Sequence, residues 1–499
     1  MPQEVNISPV DPGRFRSVLP PERLEAFDRA TDEARHLLDG RCVWNINSTA
    51  QGGGVVELLR PLVGYARGAG VDARWLVIDG SPEFFAITKR IHNRLHGAEG
   101  DGGPLDDSAR EVYEAVLEQN TAAITGRVRA GDVVIVHDPQ PAGMVASFVD
   151  AGASAIWRCH VGLDRPNDRA REAWAFLRPY ILPADRYVFS RESFAWEGLD
   201  RDRLVVIPPS IDAFAPKNVD LGPDTVLAVL RDSGIIVADG TAPPASFDRQ
   251  DGTPTRIERQ AEMTQDTQLT PDIPVVLQVS RWDALKDPLG VIRGFAEHVP
   301  ADTGAHLVYA APSVRAVADD PEGARVREEA IAARQLLRGE ARARIHLASL
   351  PMDDAEENAI ITNALQRHAR VVVQKSLAEG FGLTVAEAMW KSRPVVASAI
   401  GGIQDQIVHG ETGLLLDDPR DLSAYGAAVT QLLADEPAAE RMGQRARERV
   451  LDRFLSVRSL LDYLDLIRAV LGHPTDRSIA SGDPSLPVAD RPADPSLRR

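Results

Sequence analysis

Two carboxylates, Glu379 and Glu387, stand eight positions apart in "EGFGLTVAEAMW", on either side of a Gly-Phe-Gly turn that leads into a helical pattern. Thr384-x-x-Glu387 has the form of a capping box, a structural task worth about 1 kcal/mol. Capping leaves Glu379 without a role, because it precedes the turn. It also leaves unexplained Gly380 and Gly382, which permit close backbone approach. A phosphate-linked sugar would employ all of them. The amides of Gly382, Leu383 and Thr384 at a helix start would face the phosphate. Glu379 would accept hydrogen bonds from sugar hydroxyls, and Glu387 from ribose hydroxyls.

Negative charge on such a ligand calls for cations close by. In "QVSRWDALKDPLG" a strand pattern ends at Ser280 and releases Arg281 and Lys286 into a loop. Ligands of open parallel sheets lie at the carboxyl ends of strands. There, Arg281 could clamp a diphosphate with its planar fork and Lys286 as a point charge. The competing reading is a solvated loop in which Lys286 pairs with Asp283 or Asp287. "NSTAQGGGVVELL" places Gly53 and Gly54 before an amphipathic helix, which suits either an anion or close helix–sheet packing. It is neither a dinucleotide fingerprint nor a P-loop. A third strand-end site is "AIGGIQDQIVHGETGLLL", where Gly401-Gly402 precede a short helical stretch and Glu411-Thr412-Gly413 reads as a structural turn. "VIVHDPQPAGM" and "WRCHVGLDRPND" end strands with His137, Asp138, Gln140, His160 and Asp164, candidates for sugar contacts. No spacing resembles a zinc site, so no metal is expected.

The elements that must hold these residues alternate. "RCVWNIN", "DARWLVI", "DVVIVHD", "SAIWRCH", "RYVFS" and "LVVIPPS" read as strands separated by amphipathic helices. "IPVVLQVS", "GAHLVYAA", "ARIHLAS", "ARVVVQKS", "RPVVASA" and "TGLLL" repeat the scheme. Two α/β domains with mostly parallel sheets are expected, with a ligand cleft between them. The expected divisions are an N-terminal extension (1–40), a first Rossmann-like domain (41–215) and a second (216–455). An Asp/Thr/Pro/Gln-rich surface insertion or mobile loop is expected at about 239–268. A C-terminal helix (456–471) should return to the first domain, and a Pro/Ser/Asp-rich tail (472–499) should be disordered.

The 499 residues exceed one ordinary core. With 44% hydrophobic and 26% charged residues, the composition is that of a globular chain. A net charge of -17 disfavours nucleic acid as a partner. No apolar run approaches a membrane span, and the first residues lack the order of a signal peptide. Two cysteines, Cys42 and Cys159, do not make a disulfide scaffold. A cytoplasmic location is expected, and the sequence leaves a homodimer open.

Glu379-x7-Glu387, "SRWDALKDP" and "RPVVASAIGGIQDQIVHGETGLLL" together resemble the second domain of retaining GT-B glycosyltransferases of the sucrose-synthase and glycogen-synthase-like class. "VWNINSTAQGGGVVELL", "DARWLVIDGSPEFFAITKRIHNRLHG", "VIVHDPQPAGM", "WRCHVGLD" and "IPPSID" narrow this to the glycosyltransferring trehalose synthases, from about Arg41 to Leu471. The resemblance implies two Rossmann-like domains facing a central cleft. It implies glucose transfer from an NDP-glucose (ADP- or UDP-glucose) to free glucose with retention, giving α,α-trehalose, and no required cofactor. By residue, it implies that Gly53 and Gly54 line the cleft near the donor phosphate and the acceptor, as donor-binding residues, and that His160 contacts the transferred sugar. Arg281 and Lys286 would neutralise the departing diphosphate, Glu379 orient the glucosyl hydroxyls and Glu387 hold the ribose. Asp138 and Gln140 would contact the acceptor. Trehalose phosphorylase and a non-catalytic sugar-nucleotide-binding protein are the alternatives.

Overall fold

A computed structural model describes residues 1–50, 53–124, 126–237, 244–314 and 321–473. The expected tail lies outside these residues, except Gly472 and His473. The first sheet has seven strands in the order β1-β3-β2-β4-β5-β6-β7. These are β1 (Gln3–Val5), β2 (Cys42–Asn47), β3 (Asp72–Val77), β4 (Val133–His137), β5 (Ser154–Cys159), β6 (Arg186–Phe189) and β7 (Leu204–Val206). The second sheet follows the order β10-β13-β12-β11-β14-β15-β16. Its strands are β10 (Glu262–Thr264), β11 (Val275–Val279), β12 (His306–Pro312), β13 (Ile345–Leu350), β14 (Val371–Gln374), β15 (Val395–Ser398) and β16 (Leu414–Leu416). Between the sheets in sequence lies a hairpin of β8 (Ser246–Asp248) and β9 (Pro254–Arg256).

All pairings within the two sheets are parallel except at one edge of each, where the short strands β1 and β10 run antiparallel. β2, β4, β13 and β14 are buried along their whole length. Such strands need helices on both faces, which is why they read as unbroken apolar runs. In the first lobe Trp44, Leu76 and Trp157 pack on one face of the sheet and Val43, Trp75 and Ile156 on the other. The second sheet is covered likewise, by Leu277 and Val372 on one face and Val276 and Val373 on the other.

In each sheet the chain reverses its direction of strand addition at one place, between β2 and β4 and between β11 and β14. A crevice opens at the carboxyl ends of strands at such a point. The loops after β2, β4, β11 and β14 carry Gly53, Asp138, Lys286 and Glu379 respectively, so the topology brings together residues far apart in sequence.

Two segments differ from the sequence reading. The first forty residues are not a mere extension. β1 adds to β3, and Phe15 is fully buried with its ring 4.6 Å from that of Tyr65. The expected insertion is, over its described part, a structured element rather than a loose loop. The β8–β9 hairpin leads into β10, which closes the edge of the second sheet. Buried Glu357 pins it, accepting from Glu258 N and Arg259 N at 2.7 Å each. Residues 239–243 lie outside the described residues. The helix Ser456–Val470 packs on Gly54–Gly68 and Pro21–Leu37, burying Tyr463, Leu466 and Ile467 against the first lobe. No helix among the described residues is long and apolar enough to cross a membrane.

Candidate active site

The rear wall of the crevice is organised by one amide. Gln278, buried in β11, donates from Nε2 to the carbonyl of Lys286 (2.8 Å), and its Oε1 accepts from Lys375 N (3.1 Å). This ties the loop after β11 to the loop after β14. Across that junction Lys286 Nζ reaches Glu379 Oε1 at 2.6 Å. The same oxygen accepts from Gln374 Nε2 at 3.0 Å and Ser376 Oγ at 2.9 Å. Lys286 therefore pairs with neither Asp283 nor Asp287. Asp287, at φ 50°, caps the helix Pro288–His298 and pairs with the fully buried Lys375. Arg281 lies at the mouth of the crevice, 72% exposed, with Asp283 at 3.1 Å.

The helix Leu383–Trp390 begins at Gly382, whose φ of 80° suits glycine. No side chain caps it. The capping box does not form because Thr384 lies inside the first turn; its hydroxyl donates instead to Gln374 Oε1 at 3.0 Å. Glu387 is buried, with Lys217 Nζ at 3.5 Å and Gln366 Nε2 at 3.5 Å. Lys217 also reaches Glu57 of the first lobe at 3.0 Å. Burial opposes the charge on Lys217, but Glu387 and Glu57 hold its pKa above the usual lysine range.

The front wall comes from the first lobe. Gly53 has φ 83° and open space where a side chain would be; a Cβ on Gly54 would meet Leu383 Cδ1 at 3.6 Å. The starts of two helices thus face each other across the crevice. A Cβ on Gly380 would lie 3.6 Å from the His160 carbonyl and 3.7 Å from His96 Cε1. The His160 ring turns inward and stacks on His137. Asn45 Oδ1 accepts from His137 Nε2 (3.1 Å), leaving His137 Nδ1 to accept from His160 Nε2 (3.0 Å). Burial first, then the charge of Arg158, takes His137 down to about 3. The same causes hold His160 well below its ordinary value, so both rings are neutral.

Asp138 is turned inward too, a departure from its expected place on the acceptor. It sits at φ 66°, and its Oδ1 accepts from His160 N at 2.7 Å. Gln140 is half-buried in the same loop. Burial pushes Asp138 up to about 7, against the hydrogen bond from His160 N and the charge of Arg158. The folded state therefore binds a proton that the unfolded chain releases near pH 4, and stability attributable to this group falls as pH rises from about 4 to 7. Asp138→Asn keeps the acceptor oxygen and is expected to raise Tm at pH 8 by a few degrees, with no gain at pH 4. Thermal melts at the two pH values check this.

Sequence reasoning did not single out His92 and His96, which end the helix Pro82–Leu95, their rings 5.1 Å apart. Burial, then neighbouring His96 and Arg281, takes His92 to about 3. Burial, then Lys286, takes His96 to about 4. These effects place the histidines opposite the two cations of the rear wall. Their only signal in sequence was a pair of histidines at helical spacing.

A latch spans the lobes. Arg191 donates to Asp164 Oδ1 (2.5 Å) and to the Gly401 carbonyl (2.7 Å), and pairs with Asp405 at 3.0 Å. Asp164 Oδ2 accepts from Gly401 N and Gln404 Nε2, each at 3.1 Å. Four charge-assisted contacts cross between the lobes, and the Arg191–Asp164 pair orients both side chains for them. Arg191→Ala is expected to raise KM for the substrate bridging the lobes about tenfold while changing Tm by less than 2 °C. Steady-state kinetics beside a melt distinguishes this from general destabilisation.

Residues 45–196 match the family model "Trehalose synthase, N-terminal domain", and residues 358–449 match "Glycosyl transferases group 1". The trehalose synthase of Rubrobacter xylanophilus is 36% identical over 93% of this chain and 99% of its own. That of Pyrococcus horikoshii is 35% identical over 92% and 96%. The fold is GT-B. The structure of an α,α-trehalose-phosphate synthase (UDP-forming) from Burkholderia vietnamiensis superposes with a TM-score of 0.60 at 15% identity, over 88% of this chain and 99% of its own.

Proposed function

This chain is a member of the trehalose synthase family, and on that premise we propose that it transfers glucose from an NDP-glucose to free glucose, with retention, in a reversible synthesis of α,α-trehalose. The observation that carries this reading is the Lys286–Glu379 contact of 2.6 Å at the switch point of the second sheet, facing the glycine turn of the first. It sets a cation for a diphosphate beside a carboxylate for sugar hydroxyls.

In this reading the diphosphate lies against Lys286, Arg281 and the first amides of the helix Leu383–Trp390. As the glycosidic bond to phosphate breaks, the sugar gains oxocarbenium character and negative charge grows on the leaving oxygen. Stabilising that charge is the largest catalytic contribution, and in this reading it falls to the cations and the helix start. Lys286 has three donors, so one can stay on Glu379 while the others turn to phosphate. Glu379 orients the glucosyl hydroxyls. Glu387, beside Lys217, holds the ribose. The incoming hydroxyl attacks from the face the phosphate leaves, and its proton passes to the leaving oxygen. His160 contacts the transferred sugar through its carbonyl, which faces the Gly380 turn. Gly53 and Gly54 let the acceptor approach closely, with Gln140 at the rim. The latch through Arg191 closes the lobes and keeps water from intercepting the sugar.

The experiment is to incubate the protein with ADP-, UDP- or GDP-glucose and a panel of free sugars, and to identify the product by NMR. The expected product is α,α-trehalose, formed with one nucleoside diphosphate per turnover and only in the presence of glucose. Trehalose cleavage by phosphate but not by nucleoside diphosphate would instead establish a phosphorylase. Donor binding without turnover on any acceptor would establish a non-catalytic binding protein.

A further inference from the structure

Behind the paired histidines lies a small cavity of about 20 Å³, between the carboxyl ends of the first sheet's strands, the helix Gly54–Gly68 and the C-terminal helix. Its walls include Leu58, Leu59, Pro208 and Pro209, and its polar lining includes Arg158, His160 and Ser210. Arg158 is 1% exposed. Its Nη2 has one long contact, to Ser190 Oγ at 3.4 Å, and its Nε and Nη1 have no hydrogen-bond partner among the described residues. His160 Nδ1 is a third buried nitrogen without one.

A guanidinium cannot neutralise itself by losing a proton, so its burial requires a counter-charge and acceptors. The two carboxylates that feel the Arg158 charge are committed elsewhere. Asp138 accepts from His160 N, and Asp462 pairs with Arg458 at 2.9 Å. Neither forms a hydrogen bond to Arg158 among the described residues.

We propose that this cavity binds a small, weakly hydrated monovalent anion of the halide class, held by Nε and Nη1 of Arg158. The space is too small for a multivalent phosphate, whose oxygens would also press against Leu58, Leu59 and the two prolines. A single-atom anion avoids that cost. His160 Nδ1 becomes a third donor when its ring is protonated, and the anion's charge favours that state. The site is separate from the wall of the other lobe where the diphosphate is proposed to bind, and it adjoins the inward-turned rings of His137 and His160.

Two measurements on the full chain test the site. In the first, crystals are soaked in sodium bromide. An anomalous peak within hydrogen-bond distance of Arg158 Nε and Nη1 is expected. A cavity that holds only water, with Arg158 oriented as described here, overturns the proposal. In the second, Tm is measured in sodium chloride and in sodium gluconate at equal ionic strength. Chloride is expected to raise Tm by about 2 °C in a saturable way, as binding to the folded state alone requires, and Arg158→Met should abolish the difference. An equal Tm in the two salts, or a chloride effect kept in Arg158→Met, overturns it. If that variant fails to fold, the bromide peak in the unaltered protein decides.

Discussion

Replacing Lys286 by alanine is expected to lower kcat for glucosyl transfer by about 10²–10³-fold, the cost of removing one preorganised group that stabilises developing charge. The fold should survive. Glu379 Oε1 keeps Gln374 Nε2 and Ser376 Oγ, and the backbone of Lys286 remains anchored by Gln278. Lys286→Arg should restore little. The planar fork cannot occupy a site shaped for a compact ammonium that points one donor at Glu379 and, on the proposed function, offers the others to a diphosphate. The check is single-turnover kinetics with each NDP-glucose, alongside a melt of each variant. Unchanged turnover in Lys286→Ala would remove the cation from the mechanism. Glu379→Gln supplies a related contrast. It keeps the shape and loses the charge opposite Lys286, so KM for the donor and kcat should both worsen.

The second large effect is expected at Gly401, where function and packing meet. A Cβ there would lie 2.0 Å from the carbonyl oxygen of Glu379 and 2.8 Å from that of Gly380, and the residue sits at φ 47°. Both obstacles are backbone, so no side chain can step aside. Gly401→Ala must push back the strand-end turn that carries Glu379, or distort its own loop. The same loop receives Arg191 and Asp164 from the other lobe. We expect a stability loss of about 2–3 kcal/mol, as for overpacked sites. We also expect a fall in activity greater than that of Arg191→Ala, because the carboxylate and the latch shift together. Chemical denaturation with activity measured on the folded fraction separates the two contributions. Gly53→Ala makes a useful contrast, since open space surrounds that position and only its φ of 83° resists a side chain.

Much of this architecture was legible in sequence, because buried parallel strands leave a strong signal. "CVWNIN", "VVIVH" and "VVLQV" read as strands because burial on both faces demands continuous apolar runs. The strand-end positions of Lys286, Glu379 and His137 followed from the same pattern. The short edge strands β1 and β10 were not visible. Three residues such as Gln3–Val5 carry no periodicity, and only tertiary pairing makes them strands. The capping box at Thr384 was a local inference that the helix overrules by starting two residues earlier, with Gly382 at its N-cap. Which ions pair was also hidden. Asp283, Asp287 and Glu379 all lay open to Lys286 by charge alone, and the choice was made by Gln278 bringing two loops together. The inward turn of Asp138 and His160 depends on neighbours from β2 and β5 that no local spacing encodes. Lys375, fully buried against Asp287, was missed because nothing in "VVVQKS" distinguishes an interior lysine from a surface one.

The central claim is that an NDP-glucose lies between the two lobes with its diphosphate on the rear wall. Its most direct test is a crystal structure of the protein with an NDP-glucose bound. The account predicts phosphate oxygens within hydrogen-bond distance of Lys286 Nζ and of the amides at the start of the helix Leu383–Trp390, and the hexose against Glu379. Density for the nucleotide sugar outside the crevice, or phosphates that leave Lys286 on Glu379 alone, would contradict it.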